Sequence, residues 1–444
     1  MTRSDLPAPR VSRLRTIAGL ALSTALLATT AFAGPTPKPS VQPSAASVGP
    51  AAVAGPYSAA KAPVSITKAR THQFRPANTV GKVEVDDGSG APVIMKQPKV
   101  FAKIPKLDIA LFTDTLHAAL KDNVRGYSMA VRKGTSLASH VIWDYAKSPT
   151  EGNKGWTIDT RMHVASVSKL LTAITLVDLL DEQGISLSAK IGPYLPDYWS
   201  VGNNVADITF RDVMRHRSGF ASDDHDGSFP AMKREVARNV APNPGSHYAN
   251  VNFSLLRVLG ATVSGWVPAD TEWDAEINDA MWDLAATQWL LSRTNAKVLS
   301  PSGVAAMSPI PSGDSAFAYS SRTDNAGWNS GDVSTQLGGV GYRLSPNDVA
   351  KVLGTFRRGG KIVPESVAKA AIEGYLGING SSDTPLGKAY FRKGGWGSGS
   401  DVEQSVAYYM PGDIEIVVFV NSPVGAQDAS LRLTVENAYL NSLK

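Results

Sequence analysis

Apolar residues recur at helical spacing through Leu107, Leu111, Phe112, Leu116 and Leu120, which predicts an amphipathic helix. Two runs of different character follow, over 126–131 and 140–145, and they predict a pair of strands. From Ser166 through Leu180 the helical period returns with almost every position apolar, and Gly184 is a natural stop. A helix that is apolar all round belongs in a core. Between Ile208 and about Gly331 the pattern is mostly helical, broken by irregular loops, with Trp266, Trp273, Trp282 and Trp289 expected in the core. Strand patterns return over 403–409 and 414–420, and a last helix is expected from about Ser430. No segment repeats. Strands at both ends with helices between them predict an α/β (α+β) fold. Its antiparallel sheet is flanked by helices and drawn from about residues 107–165 and 385–444, with an all-helical region over about 166–335.

The first 106 residues read differently. Arg3, Arg10, Arg13 and Arg15 precede an apolar run over 17–33 that ends Ala31-Phe32-Ala33, the order of charge, apolar stretch and small residues in a cleaved secretory signal. Residues 34–66 are Pro, Ala and Ser with few large apolar groups, so they form a linker. Residues 67–106 carry scattered apolar side chains without a period and form an irregular extension. The organised domain is therefore expected over 107–444, exported to the periplasm or beyond, with no membrane span in the mature chain and possible cell-envelope association.

Charge narrows the class of partner. The net charge is +5, but residues 1–33 hold four of the 44 basic and only one of the 39 acidic side chains, so the remainder stands at +2. No nucleic-acid partner is implied. The 444 residues include no cysteine, which excludes disulfides, thiolate metal sites and a lipid-bearing cysteine. Seven histidines without a His-x-x-x-His pair give no metal motif, and the acidic run Asp223, Asp224, His225 and Asp226 reads as a solvated loop. No metal or cofactor is expected.

The chemistry must then come from side chains alone. The hydrolase elbow Gly-x-Ser-x-Gly is absent. Ser-x-x-Lys occurs four times, at Ser58, Ser65, Ser166 and Ser366, but only Ser166 opens a helix apolar enough to be buried. Three residues apart on one helix, Ser166 and Lys169 share a face with β-carbons about 5 to 6 Å apart. Burial and the positive helix N-terminus both favour the neutral amine, which makes Lys169 a base for the Ser166 hydroxyl.

These residues reach a resemblance. The run His163-Val-Ala-Ser-Val-Ser-Lys-Leu-Leu-Thr172, the stretch over 208–219 ending His-Arg-Ser-Gly, the Tyr248-Ala-Asn250 triplet, the Gly338-Gly-Val-Gly turn and Lys393-Gly-Gly395 occur in the order found in the serine beta-lactamase and penicillin-binding protein family. The match is closest to its class C beta-lactamase, DD-peptidase and esterase branch and extends over about 107–444. The resemblance implies a beta-lactamase/transpeptidase-like fold and a serine hydrolase acting on a small-molecule or peptide substrate: a beta-lactam, a D-amino acid peptide or a small ester. It implies that Ser166 is acylated, that Lys169 and Tyr248 share the acid and base work, and that Asn250, Lys393, Gly395 and Trp396 contact substrate. The N–H groups of Ser166 and Trp396 would form the oxyanion hole. Gly394 stands where the family has threonine, and Trp396 where a small residue is usual. A non-catalytic protein that holds peptidoglycan peptides or penicillin on the same fold is the alternative.

Overall fold

The computed structural model describes residues 105–221, 226–424 and 430–444. The signal peptide, the linker and nearly all of the extension lie outside the described residues, as do Asp223, Asp224 and His225. Helix α1 (Ile109–Leu120) begins at Asp108, whose side chain accepts the Leu111 N–H at 2.9 Å, as an N-cap should. It leads into β1 (Gly126–Lys133) and β2 (Ser136–Lys147), then two short strands, β3 (Lys154–Gly155) and β4 (Met162–His163). The helical region follows with α2 (Ser168–Glu182), α3 (Phe210–Met214), α4 (Phe229–Ala237), α5 (Asn250–Val263) and α6 (Asn278–Arg293). Strand β5 (Arg343–Leu344), α7 (Pro346–Arg358) and α8 (Glu365–Glu373) return the chain to the sheet. It closes with β6 (Gly380–Thr384), β7 (Gly387–Ser398), β8 (Asp401–Met410), β9 (Ile414–Val420) and α9 (Leu431–Asn441).

The main sheet has the order β3-β2-β1-β9-β8-β7-β6 and is antiparallel throughout, so β1 pairs with the last strand, β9. This is the sheet expected from the two ends of the chain, extended by β6. Because side chains alternate across a strand, β9 sends Ile414, Ile416, Val418 and Val420 to one core and Val417 and Phe419 to the other. Both faces are covered, which is why the strand reads as a continuous apolar run rather than an alternation. On one face lie α1 and α9. On the other lie α2, α5 and α7. Trp282 and Trp289 are buried as expected, but Trp266 is 55% exposed, since it follows the end of α5 in a surface turn.

Helix α2 is the hub of the second core. Every residue from Ser168 to Leu180 is buried, so the helix has no wet face on which a charged side chain could be solvated. Lys169 lies in its first turn and is 0% exposed. The sheet delivers β7 across the start of this helix, and β4 and β5 pair alongside it.

Candidate active site

Ser166 was expected to open the helix. Instead it sits in a 3-10 turn, Ala165–Val167, and α2 starts two residues later. Ala165 holds a positive φ of 48°, in the left-handed region that side chains disfavour, at a cost of order 1–3 kcal/mol. The neighbours that fix this turn are specific: Ser405 Oγ donates to Val164 O at 2.8 Å, and Arg392 Nε donates to Ser166 O at 2.8 Å. The strained turn holds the half-buried Ser166 hydroxyl beside the N-terminal end of α2.

Around that hydroxyl the structure brings together Lys169, Tyr248 and Asn250. Lys169 Nζ lies 3.1 Å from Ser166 Oγ, and it donates to Asn250 Oδ1 at 2.5 Å and to Gly339 O at 2.7 Å. Two of its hydrogens are thereby assigned to strong acceptors, and a neutral amine would turn its lone pair toward the serine. Burial, reinforced by the Arg392 guanidinium, holds the Lys169 ammonium well below the usual lysine range. Tyr248 OH is 2.7 Å from the same Oγ and donates to Asn250 Oδ1 at 3.4 Å. Asn250 is the first residue of α5, so its backbone is fixed by a helix that is itself buried along most of its length.

His216 supports the phenol from behind. Its ring packs on Tyr248 with centroids 4.5 Å apart, and its Nδ1 accepts the Ala249 N–H at 3.3 Å. Burial, then Arg392 and Lys169, keep this imidazole well below its ordinary pKa and therefore neutral.

The strand opposite corrects two expectations. The place facing the site that was expected for Lys393 as a substrate contact is taken by Arg392, whose Nη2 donates to Tyr248 OH at 3.4 Å. Alternation explains the shift of one residue. Ala389 and Phe391 belong to the core under α1 and α9, so Lys393 and Gly395 share their face of the sheet, while Tyr390, Arg392, Gly394 and Trp396 share the other. Gly394 accordingly faces the serine turn, and a β-carbon there would meet Ser166 N at 2.7 Å, Ser405 Oγ at 2.7 Å and Val164 O at 2.9 Å. Only glycine lets β7 pass this close.

The second correction concerns the oxyanion donor. Strand β6 pairs with β7 only as far as Phe391, which leaves the following residues with an open edge. Phe391 O accepts the Asn379 N–H, and the Lys393 N–H donates to Asn379 Oδ1 at 2.9 Å, both on that edge. In an antiparallel ladder, N–H groups two residues apart point the same way. The Gly395 N–H therefore lies on the open edge, and the Trp396 N–H faces β8, where Trp396 pairs with Glu403. The Trp396 ring packs on buried His163, with centroids 5.3 Å apart. The sequence signal for Arg392 was the Arg392-Lys393-Gly394 triplet, overlapping the Lys393-Gly394-Gly395 one and equally closed by glycine.

A seven-stranded antiparallel sheet covered on both faces, with a serine, a buried lysine and a tyrosine meeting between sheet and helices, is the arrangement of the penicillin-recognising serine hydrolases. The chain belongs to the beta-lactamase family, whose sequence model, described as Beta-lactamase, matches residues 111–440. Solved structures agree on the fold. A class C beta-lactamase from Rhodobacter sphaeroides matches with a TM-score of 0.55 at 17% identity, over 75% of this chain and 98% of that one. A beta-lactamase/D-alanine carboxypeptidase from Pseudomonas syringae gives 0.57 at 14% identity over 75% and 98%. A D-stereospecific amidohydrolase from Streptomyces gives 0.51 at 20% identity over the same shares.

Proposed function

We propose that this protein is an exported serine hydrolase that transfers an acyl group to water through an ester on Ser166. The observation that carries the reading is the buried Lys169 amine, 3.1 Å from Ser166 Oγ with two other acceptors already engaged. The neutral amine takes the serine proton as Oγ attacks the substrate carbonyl carbon. The resulting oxyanion is held by the N–H groups of Ser166 and Gly395, which need no reorganisation during the step. Tyr248, 2.7 Å from Oγ, passes a proton to the departing nitrogen or oxygen. Water then attacks the acyl ester, giving up its proton to the same lysine and tyrosine pair, and Ser166 is released.

The substrate is a beta-lactam, a D-amino acid peptide or a small ester. The fold is shared with proteins named for the first two of these activities, which supports the range without narrowing it. The basic, apolar and small-residue order at the N-terminus supports export. Among the described residues no helix is long and apolar enough to cross a membrane.

A panel of substrates tests the reading. The protein is incubated with a fluorescent penicillin, a chromogenic cephalosporin and a p-nitrophenyl ester, and covalent label and turnover are scored separately for wild type and Ser166→Ala. Label or turnover lost in the variant supports the acyl-enzyme. Turnover retained by Ser166→Ala, or no reaction of the wild type with any probe, overturns it, the latter in favour of a binding protein.

A further inference from the structure

Lys169 donates to two acceptors besides Ser166, and helix α5 governs both. The first is the side chain of Asn250, the opening residue of that helix. The second, Gly339 O, belongs to a turn that α5 grips further along through Arg257. Seven residues apart, Asn250 and Arg257 share one face of the helix.

Arg257 is fully buried, and its guanidinium is divided between a carboxylate and backbone carbonyls. Nε and Nη2 donate to Asp283 Oδ1 on α6 at 3.2 and 2.7 Å. Nη2 also donates to Thr335 O at 2.9 Å, and Nη1 to Leu337 O at 3.0 Å and to Gly227 O at 3.3 Å. A planar fork can serve the carboxylate and the carbonyls together, whereas an ammonium is a point donor.

The carbonyls it holds lead straight into Gly338 and Gly339. Two successive glycines have little conformational preference of their own, so their arrangement must be imposed from outside. Gly338 has a φ of 104°, and a β-carbon there would meet Phe253 O at 2.5 Å, because the turn passes flush against α5. Beyond Gly338, the Thr172 hydroxyl of α2 donates to its carbonyl at 2.8 Å. So fixed, the turn presents Gly339 O to one hydrogen of the amine at 2.7 Å. Resting on the hydrolase reading above, we infer that Arg257 is a positioning residue for the base: its fork fixes the Gly338-Gly339 turn and, through Gly339 O, orients the Lys169 amine toward Ser166 Oγ.

The test compares three variants of the full chain with wild type, each checked for folding by thermal melt. Arg257→Lys keeps the charge and loses the fork. Arg257→Met/Asp283→Asn also loses the fork and leaves no unpaired charge in the core. Asp283→Asn keeps an acceptor at Oδ1 and leaves both bonds to Thr335 and Leu337 in place. With p-nitrophenyl acetate, kcat is expected to fall about 10- to 100-fold in the two forkless proteins while KM stays within about threefold. Asp283→Asn should keep kcat within about threefold of wild type, whatever its melting temperature. Equal losses in Asp283→Asn and Arg257→Lys, or wild-type kcat in a folded forkless protein, overturn the inference.

A second measurement needs no turnover. The Lys169 side chain is titrated by NMR in protein carrying isotope-labelled lysine, its signal assigned by its loss in Lys169→Met. Water admitted by a slack turn should raise the midpoint by about one pH unit or more, toward the usual lysine value, in whichever forkless protein is folded. An unchanged or lowered midpoint overturns the positioning role even if no ester is cleaved. Failure of wild type to cleave the ester counts against the Ser166 reading alone.

Discussion

Arg392 holds both the backbone and the acid of the site: its Nε donates to Ser166 O at 2.8 Å and its Nη2 to Tyr248 OH at 3.4 Å, from a side chain only 1% exposed. A hydrogen bond to a charged group contributes about 1.5–3 kcal/mol, or one to two powers of ten in rate if it acts in the transition state. Arg392→Gln is expected to lower kcat for p-nitrophenyl acetate about 10- to 100-fold. Lys393→Gln, on the opposite face of β7, should cost less than Arg392→Gln. Steady-state kinetics on both variants decides it, and the reverse ranking would restore Lys393 as the cation of the site.

The two glycines that follow make a sharper comparison. A β-carbon at Gly394 would stand 2.7 Å from Ser166 N, whereas one at Gly395 meets nothing closer than Glu403 O at 4.0 Å. Gly394→Ala must push β7 off the serine turn, and misplacement by about 1 Å costs of order 100-fold in rate. Gly395→Ala keeps its backbone N–H and is expected to stay within a few fold of wild type. Parallel kcat/KM measurements read the difference, and equal losses would refute a β7 register that turns Gly394 toward the serine.

This register was the part of the site the sequence stated least clearly. Ser166, Lys169, Tyr248 and Asn250 were legible because each is tied to an element whose pattern is strong: a helix apolar all round, and the start of α5. On β7 the triplets Arg392-Lys393-Gly394 and Lys393-Gly394-Gly395 overlap, and local spacing does not separate them. The alternation of Ala389 and Phe391 against Tyr390 and Arg392 does, but it becomes decisive only once the two cores are known to lie on opposite faces. The 3-10 turn at Ser166 was illegible for another reason. The positive φ of Ala165 is imposed by contacts from Ser405 and Arg392, more than 200 residues away in the chain.

Lys169 gives the site a pH signature. The unfolded lysine keeps its proton up to about pH 10.4, while the buried one gives it up at lower pH, so unfolding takes up a proton between the two values and stability rises with pH across that window. Lys169→Met removes the titration. Denaturant midpoints measured from pH 7 to 10 should therefore shift in favour of wild type over Lys169→Met as pH increases. A difference that does not change with pH would mean that the buried amine keeps its proton.

Glu403 supplies the opposite slope. It is 1% exposed on β8, its carboxylate oxygens have no hydrogen bond within 3.5 Å, and His163 Nδ1 stands 3.4 Å from Oε2. Because His163 Nε2 accepts the Gly341 N–H at 3.1 Å, the neutral ring carries its proton on Nδ1, facing Glu403. Burial holds His163 at about 3 and pushes the Glu403 carboxyl up to about 8, against the partial help of Arg343. The folded state then holds a proton that the unfolded state has lost above about pH 4.3, so stability falls as pH rises toward 8 and levels off beyond it. Glu403→Gln keeps the shape and cannot ionise. Its melting temperature relative to wild type is expected to climb between pH 5 and 8. The turn that His163 anchors also supplies Gly339 O to Lys169, so loss of the Glu403 proton loosens the base as well. Wild-type kcat should therefore decline above pH 8 while that of Glu403→Gln does not, and coincident profiles for the two proteins would sever Glu403 from the site.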